Sequence, residues 1–252
     1  PPLELGNAST IEDLCRPDAR MLQSWLAAHA AMHEGTPRDS AAAFLFGSLC
    51  WTLCKTVGER WFETDVPPRL DPGLRVTARS EHWQEGDEEG DHVVFTFDAP
   101  WTKATHSQET EAIRRLAGDL ETLLAPLVER LSADTGLPKS AQWRLLGDSI
   151  SAGILAIGRE RGESELAMER AMALLAACRP PIANPQLAFI AIDAAAPDGS
   201  QHRRWFRRRG GCCRYYKVEG GHYCTTCVLR DEASCKARLQ DYVERELRAP
   251  VA

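Results

Sequence analysis

The stretch from Gly210 to Asp231 limits what this chain can fold into more than any other. It reads GGCCRYYKVEGGHYCTTCVLRD and places Cys212, Cys213, Cys224 and Cys227 within sixteen residues. The Gly210-Gly211 pair predicts unusual φ/ψ at the entry. Gly220-Gly221 predicts a tight reversal before Cys224-x-x-Cys227. Tyr215, Tyr216, Val218 and Tyr223 favour strand, so Cys213–Val218 and His222–Cys224 are expected to fold back as a short hairpin. That hairpin brings the Cys212-Cys213 end beside Cys224 and Cys227, and four sulfurs then surround one small metal centre.

Two metals take four thiolates readily, zinc and the iron of iron–sulfur clusters. Zinc pairs its ligands at spacings of two to four residues, as Cys224-x-x-Cys227 does. Cys212-Cys213 does not fit that rule, because adjacent side chains diverge along an extended chain. A two-iron cluster is longer and has two metal atoms to ligate. Spacing therefore favours iron–sulfur and leaves zinc and a plain thiol or disulfide role open.

The string RRRGGCCRYYKVEGGHYCTTCVL resembles the C-terminal signature of the FhuF-like ferric-siderophore reductases. That family carries Cys-Cys-x10-Cys-x2-Cys, an apolar residue and Leu after it, and a basic, Tyr-containing segment behind the Cys pair. Cys212, Cys213, Cys224 and Cys227 stand at the four positions, and Arg214-Tyr215-Tyr216 follows the pair. Val228 stands where the family often has Pro, which changes stiffness and removes no ligand. The resemblance implies that the four cysteines bind a [2Fe–2S] cluster and pass single electrons to ferric siderophores. It implies an oxidoreductase with a ferredoxin-type donor.

The rest of the chain bounds this reading. Its 252 residues allow one large domain or two small ones. A net charge of −6 argues against a general nucleic-acid binder. The longest apolar run, Ala41–Cys54, is interrupted by Gly47, Ser48 and Thr52, so no membrane span is expected. Pro1-Pro2-Leu3-Glu4 has no basic region before an apolar core, so no signal peptide is expected in the sequence as given. Nine cysteines, with Cys15, Cys50, Cys54, Cys178 and Cys235 scattered outside the motif, do not form a secreted disulfide framework. A reducing cytoplasm fits. Cys50 and Cys54, four apart, read as small buried apolar residues. Cys235 reads as helical and structural.

The periodicities predict an α+β fold, mostly helical, with small antiparallel β elements. Residues 8–185 form a helix-rich domain with a β-hairpin insertion near 74–98, and 186–252 form a C-terminal hairpin, the cysteine motif and a terminal helix, packed as one unit with the rest. Pro2–Asn7 is expected as a loose arm, Ser9 as the start of a capping box, and Pro17 as the first turn of a helix carrying Trp25, His29 and His33. The two histidines are read as partly exposed. Asp39 or Ser40 is expected to cap an apolar central helix ending near Phe62. Strands are expected at Leu74–Arg79 and His92–Phe97, around an acidic solvated tip, Glu85–Asp91. Ser107 is expected to cap a helix ending near Thr135 with a kink expected at Pro126, and helices at Ser140–Arg159 and Ser164–Cys178 after it. Strands then follow at Gln186–Asp193 and His202–Arg208, and a helix at Asp231–Leu247 packs over the cysteine segment.

Charge gives a second signal. Arg203, Arg204, Arg207, Arg208, Arg209, Arg214 and Lys217 crowd the first two cysteines. A basic stripe with interleaved aromatics also suits nucleic acid. Offsetting an anionic cluster and attracting anionic siderophores or an acidic donor are the preferred explanations. His202, Arg203, Arg204 and Trp205 are the candidate substrate contacts. No Gly-rich dinucleotide fingerprint follows a strand, so no bound NAD or flavin is expected.

Overall fold

The apolar stretch around Phe46 becomes the central helix of the protein. In the computed structural model, which describes residues 3–85, 88–98 and 109–248, this helix is α3 (Arg38–Thr64), and Leu45, Phe46, Leu49, Leu53, Val57 and Trp61 on it are fully buried. By length and composition alone α3 is long and apolar enough to cross a membrane, yet 61% of its most apolar window is buried in the fold. Gly47, Ser48 and Thr52 do not shorten it, because the buried apolar residues on the rest of the helix hold it in the core.

Before α3 come β1 (Leu3–Glu4), β2 (Ser9–Thr10), α1 (Ile11–Leu14) and α2 (Arg20–Ala31). After it come β3 (Arg75–Glu85), β4 (Glu88–Asp98), α4 (Glu109–Thr135), α5 (Lys139–Arg161) and α6 (Ser164–Ala177). The chain closes with β5 (Ala188–Ala195), β6 (Gln201–Arg208) and α7 (Glu232–Arg248). The fold is α+β and helix-dominated, as the periodicities predict.

α5 lies against α3 at very close range. A Cβ on Gly153 would stand 2.6 Å from the Lys55 amide nitrogen, so only glycine permits this approach. The long hairpin β3–β4 covers the other side, with Val76 paired to Phe97 and Ala78 to Phe95, all buried. β5 and β6 pair antiparallel, Ile192 opposite Arg204. Ile190, Ile192 and Ala194 of β5 form a small second cluster with Cys235, Leu239 and Val243 of α7.

Several local expectations shift. Residues 3–5 are not a loose arm: Leu3 and Glu4 pair with Ser80 and Arg79, and Leu5 donates to the Ala78 carbonyl. The open edge of β3 gives this backbone a ladder to join. Thr10, not Ser9, caps α1, accepting from the Asp13 amide at 3.0 Å, while Ser9 pairs with Val76. Pro17 lies ahead of α2, which starts at Arg20. Pro37 holds the cap position of α3, and its fixed φ of −62° suits a helix entry. Asp39 therefore sits inside the first turn. The strands run into the acidic tip as far as Glu85 and again from Glu88, so most of it is ladder rather than loop. Ser107 lies outside the described residues.

His29 is fully buried rather than partly exposed. Its Nδ1 stands 2.8 Å from the Trp25 carbonyl and its ring stacks on Phe95. Burial pulls its pKa down to about 4, against the Trp25 contact. His33 lies beyond the end of α2 and meets Tyr215.

Candidate metal centre

The cysteine stretch leaves β6 at Arg208 and runs onto α5. Its seat is Asp148, a buried carboxylate in an otherwise small and apolar part of that helix. Asp148 Oδ1 accepts from the Gly210 amide at 2.7 Å. Oδ2 accepts from the Gly211 amide and from Arg209 Nε, both at 3.2 Å. The two glycines serve close approach, not an unusual dihedral, since neither has a positive φ. A Cβ on Gly211 would stand 3.0 Å from the Arg144 carbonyl carbon, and one on Gly210 would stand 2.2 Å from Asn184 Nδ2. Arg207 adds a 2.6 Å bond to the Asp148 main-chain oxygen.

Past the Cys pair the chain does not form the expected hairpin. Arg214 takes the left-handed conformation at φ 64°, and Tyr215–Lys217 form one 3-10 turn. Gly220, at φ +68°, and the Gly221 amide, bonded to the Val218 carbonyl, make the reversal. Side-chain anchors replace ladder bonds here and override the strand preference of the tyrosines. Tyr215 packs edge-on against His33 and His222. Asp39 on α3 binds both Arg214 and, at 3.0 Å, Lys217. The Arg209 amide donates to the Thr226 carbonyl, which ties the entry to the Cys224–Cys227 loop. Arg230 closes that loop through the Cys224 and Tyr223 carbonyls.

These ties gather the sulfurs. Cys213 Sγ and Cys224 Sγ stand 3.4 Å apart. Arg209 Nη1 donates to Cys224 Sγ at 3.6 Å, and the Arg214 amide to Cys212 Sγ at 3.4 Å. Cys227 is buried and lies within electrostatic range of Cys212 and Cys224. Cys213 is pulled toward its thiolate, first by the Cys224 contact and then, against burial, by Arg209. Burial works against the Arg209 charge, but Asp148 and the two thiols more than offset it and push its pKa up. Burial pulls Arg207 down to about 10.

The donor chemistry fits a [2Fe–2S] cluster: four thiols, a buried guanidinium on one sulfur and a backbone amide on another. Among the described residues no three His, Cys, Asp or Glu side chains stand close enough together, as they lie, to hold a metal ion; the sulfur pair in contact is Cys213–Cys224.

β6 divides the predicted basic rim between two faces. Arg207 and the following Arg209 turn toward α5 and the sulfurs. Arg204 meets Glu246, Phe206 meets Tyr242 and Arg208 meets Glu232, all on α7. Of the four candidate substrate contacts, Arg203 binds Asp193, Arg204 Glu246, Trp205 Glu165 and His202 Ser200. α7 itself packs on β5 rather than over the motif, touching it where Cys235 Sγ approaches the Cys227 carbonyl. Asp148 and Asp39 escaped the sequence reading. A lone acid in an apolar helix was the available signal for Asp148; Asp39, in an ordinary first turn, offered none.

Residues 209–229 match the family model described as the FhuF 2Fe-2S C-terminal domain. The segment is FhuF-like and of the [2Fe–2S]-binding kind, which supports an iron–sulfur, siderophore-related role. No curated protein and no solved structure matches the chain.

Proposed function

Starting from an FhuF-like, [2Fe–2S]-binding C-terminal segment, we propose that this protein is a ferric-siderophore reductase, with Cys212, Cys213, Cys224 and Cys227 as the cluster ligands. The observation that carries the reading is the contact of Cys213 with Cys224 beside Arg209, near the surface where Tyr216, Tyr223 and Leu229 stand exposed. When bound, such a cluster supplies single electrons, at a potential within roughly −700 to +450 mV. Ferric iron is a hard ion held by siderophore oxygens, and the ferrous product is held far less tightly by the same ligands.

The chain's own residues set the conditions for that transfer. Arg209, held by Asp148, offsets thiolate charge at Cys224. Asp39 fixes the basic turn behind the Cys pair through Arg214 and Lys217. In this proposal the substrate contacts move from His202, Arg203, Arg204 and Trp205 to Arg207 and Arg209, which turn toward α5 and the sulfurs. Residues 186–252 act as one unit with the helix-rich part, because the motif is anchored on α3 and α5. The electron comes from a separate ferredoxin-type donor, and iron is released in the cytoplasm.

The test is an anaerobic preparation examined by absorption and EPR, then reduced and mixed with ferric siderophores. The expected result is acid-labile sulfide, a reducible cluster and its reoxidation as ferrous iron appears. Bound zinc without sulfide, or a reduced cluster that no ferric siderophore reoxidises, refutes the assignment.

A further inference from the structure

A cleft of about 410 Å³ opens between α3, β4 and α5, and Gly47, Trp51, His92, Asp148, Arg207 and Arg209 help line it. We propose that this cleft is the binding site for an anionic, oxygen-rich ferric chelate, with Arg207 and Arg209 at its base and Trp51 at its mouth. The inference rests on the reductase reading and adds to it the place and the charge preference of the substrate.

Four observations carry it. The volume falls in the range of small-molecule sites. The base is net cationic: two guanidinium groups share one acid, Asp148, whose oxygens are already engaged by Arg209, Gly210 and Gly211. Among the described residues Arg207 gives one nitrogen to a protein acceptor, the Asp148 main-chain oxygen, so its fork keeps donors for a ligand. Trp51 is 42% exposed on a helix whose other large side chains are mostly buried, with Lys55 one turn on and 5.8 Å from its ring. Trp51 therefore presents a flat face to whatever enters, while Lys55 is engaged by Glu160 at 3.0 Å.

Gly47, one turn before Trp51, adds to these four. A Cβ there would meet nothing within 4 Å. Glycine in a helix interior is about 1 kcal/mol less favourable than alanine, and packing does not require it at this position. Its effect is to keep the cleft open. Arg209 spans from this cleft to Cys224 Sγ at 3.6 Å, so an occupant lies one side chain from the ligand set. Binding itself moves no electron.

The experiment titrates the cluster-loaded full chain with gallium(III) chelates, which bind like the ferric ones and resist reduction. An anionic tris-catecholate and a neutral tris-hydroxamate are compared by calorimetry. The expected result is at least tenfold tighter binding of the anionic chelate, weakened by added salt. Gly47→Leu fills the cleft and lowers that affinity at least tenfold. Gly118→Leu, the same change on α4 at a glycine whose Cβ also meets nothing within 4 Å, leaves it unchanged. Trp51→Ala, at an exposed side chain, gives a second weakened variant if Gly47→Leu does not fold. Undiminished binding in Gly47→Leu and Trp51→Ala, or equal affinity for the neutral chelate, overturns the proposal. Reoxidation of the reduced cluster by the ferric chelate is followed in parallel. Rapid reoxidation with undiminished binding removes the cleft and leaves the reductase reading intact. Cleft-dependent gallium binding without reoxidation in the native chain removes the reductase reading and keeps the cleft as a binding site.

Discussion

Asp148→Asn tests the anchor that holds the cysteine stretch on α5. The side chain is 2% exposed and its partner Arg209 17% exposed, so solvent screens the pair poorly. Asparagine keeps the size and one acceptor oxygen. It removes the charge opposite Arg209 and turns the second oxygen into a donor facing other donors. Breaking a buried ion pair from one side costs about 3–5 kcal/mol. The retained oxygen keeps one amide bond, which contributes about 1 kcal/mol. The expected loss is then about 2–4 kcal/mol, or a fall in Tm of roughly 4–16 °C for a chain of this length. Urea unfolding followed by circular dichroism reads it. The double variant Asp148→Asn/Arg209→Met, which also removes the guanidinium bonded to that carboxylate, should lose less than Asp148→Asn alone. A loss below about 1 kcal/mol, with full cluster loading, would show that the stretch is held elsewhere.

Three more outcomes follow from the same geometry. Gly211→Ala puts a methyl 3.0 Å from the Arg144 backbone, so α5 or the motif must shift; a loss of about 1–3 kcal/mol and reduced cluster loading are expected, read by unfolding and iron content. Asp39→Asn frees Arg214 and Lys217, and stability at neutral pH should fall. Burial raises the Asp39 pKa but Lys217 and Arg214 more than reverse this, so the folded value is depressed; its contribution is present above the ordinary value near 3.9 and lost as pH falls through the lower folded value. The difference in stability between native chain and variant should therefore shrink only below about pH 4, and a difference that is constant through acid pH contradicts this. For His29, with a folded pKa of about 4 against an ordinary value near 6.5, the unfolded chain takes up a proton the folded one refuses. Stability should drop by about 2–3 kcal/mol between pH 6.5 and 4, and His29→Phe should remove that slope in urea titrations at several pH values.

Much of the architecture is legible from periodicity. α3, α4, α5, α6 and α7 fall within a few residues of their apolar patterns wherever both ends are described, because the first four bury a face or more in the main core and α7 buries one in the second cluster. The hairpin β3–β4 is legible from the alternation at Val76 and Ala78. What escaped depends on partners distant in sequence. The Tyr215 segment has strand composition, but Asp39, His33 and Phe44 hold it as a turn. Gly210-Gly211 reads as a conformational device and proves a steric one, because the neighbouring helix is 62 residues away in sequence from Gly210 at its contact with Asp148. The arginines look like one rim in sequence, and the two-residue period of β6 separates them.

The two carboxylates beneath the cysteine stretch give it the character of a portable cassette. Asp148 holds its entry and Asp39 its first turn, and most of its remaining contacts are internal to about twenty residues. A segment moored in this way asks of its scaffold an acid in each of two places, room for Gly210 and Gly211 against α5 and Asn184, and a seat for Tyr215. The scaffold can then be redrawn extensively around it, and a search for distant kin would do better to track that pair of acids with the sulfur spacing than overall likeness.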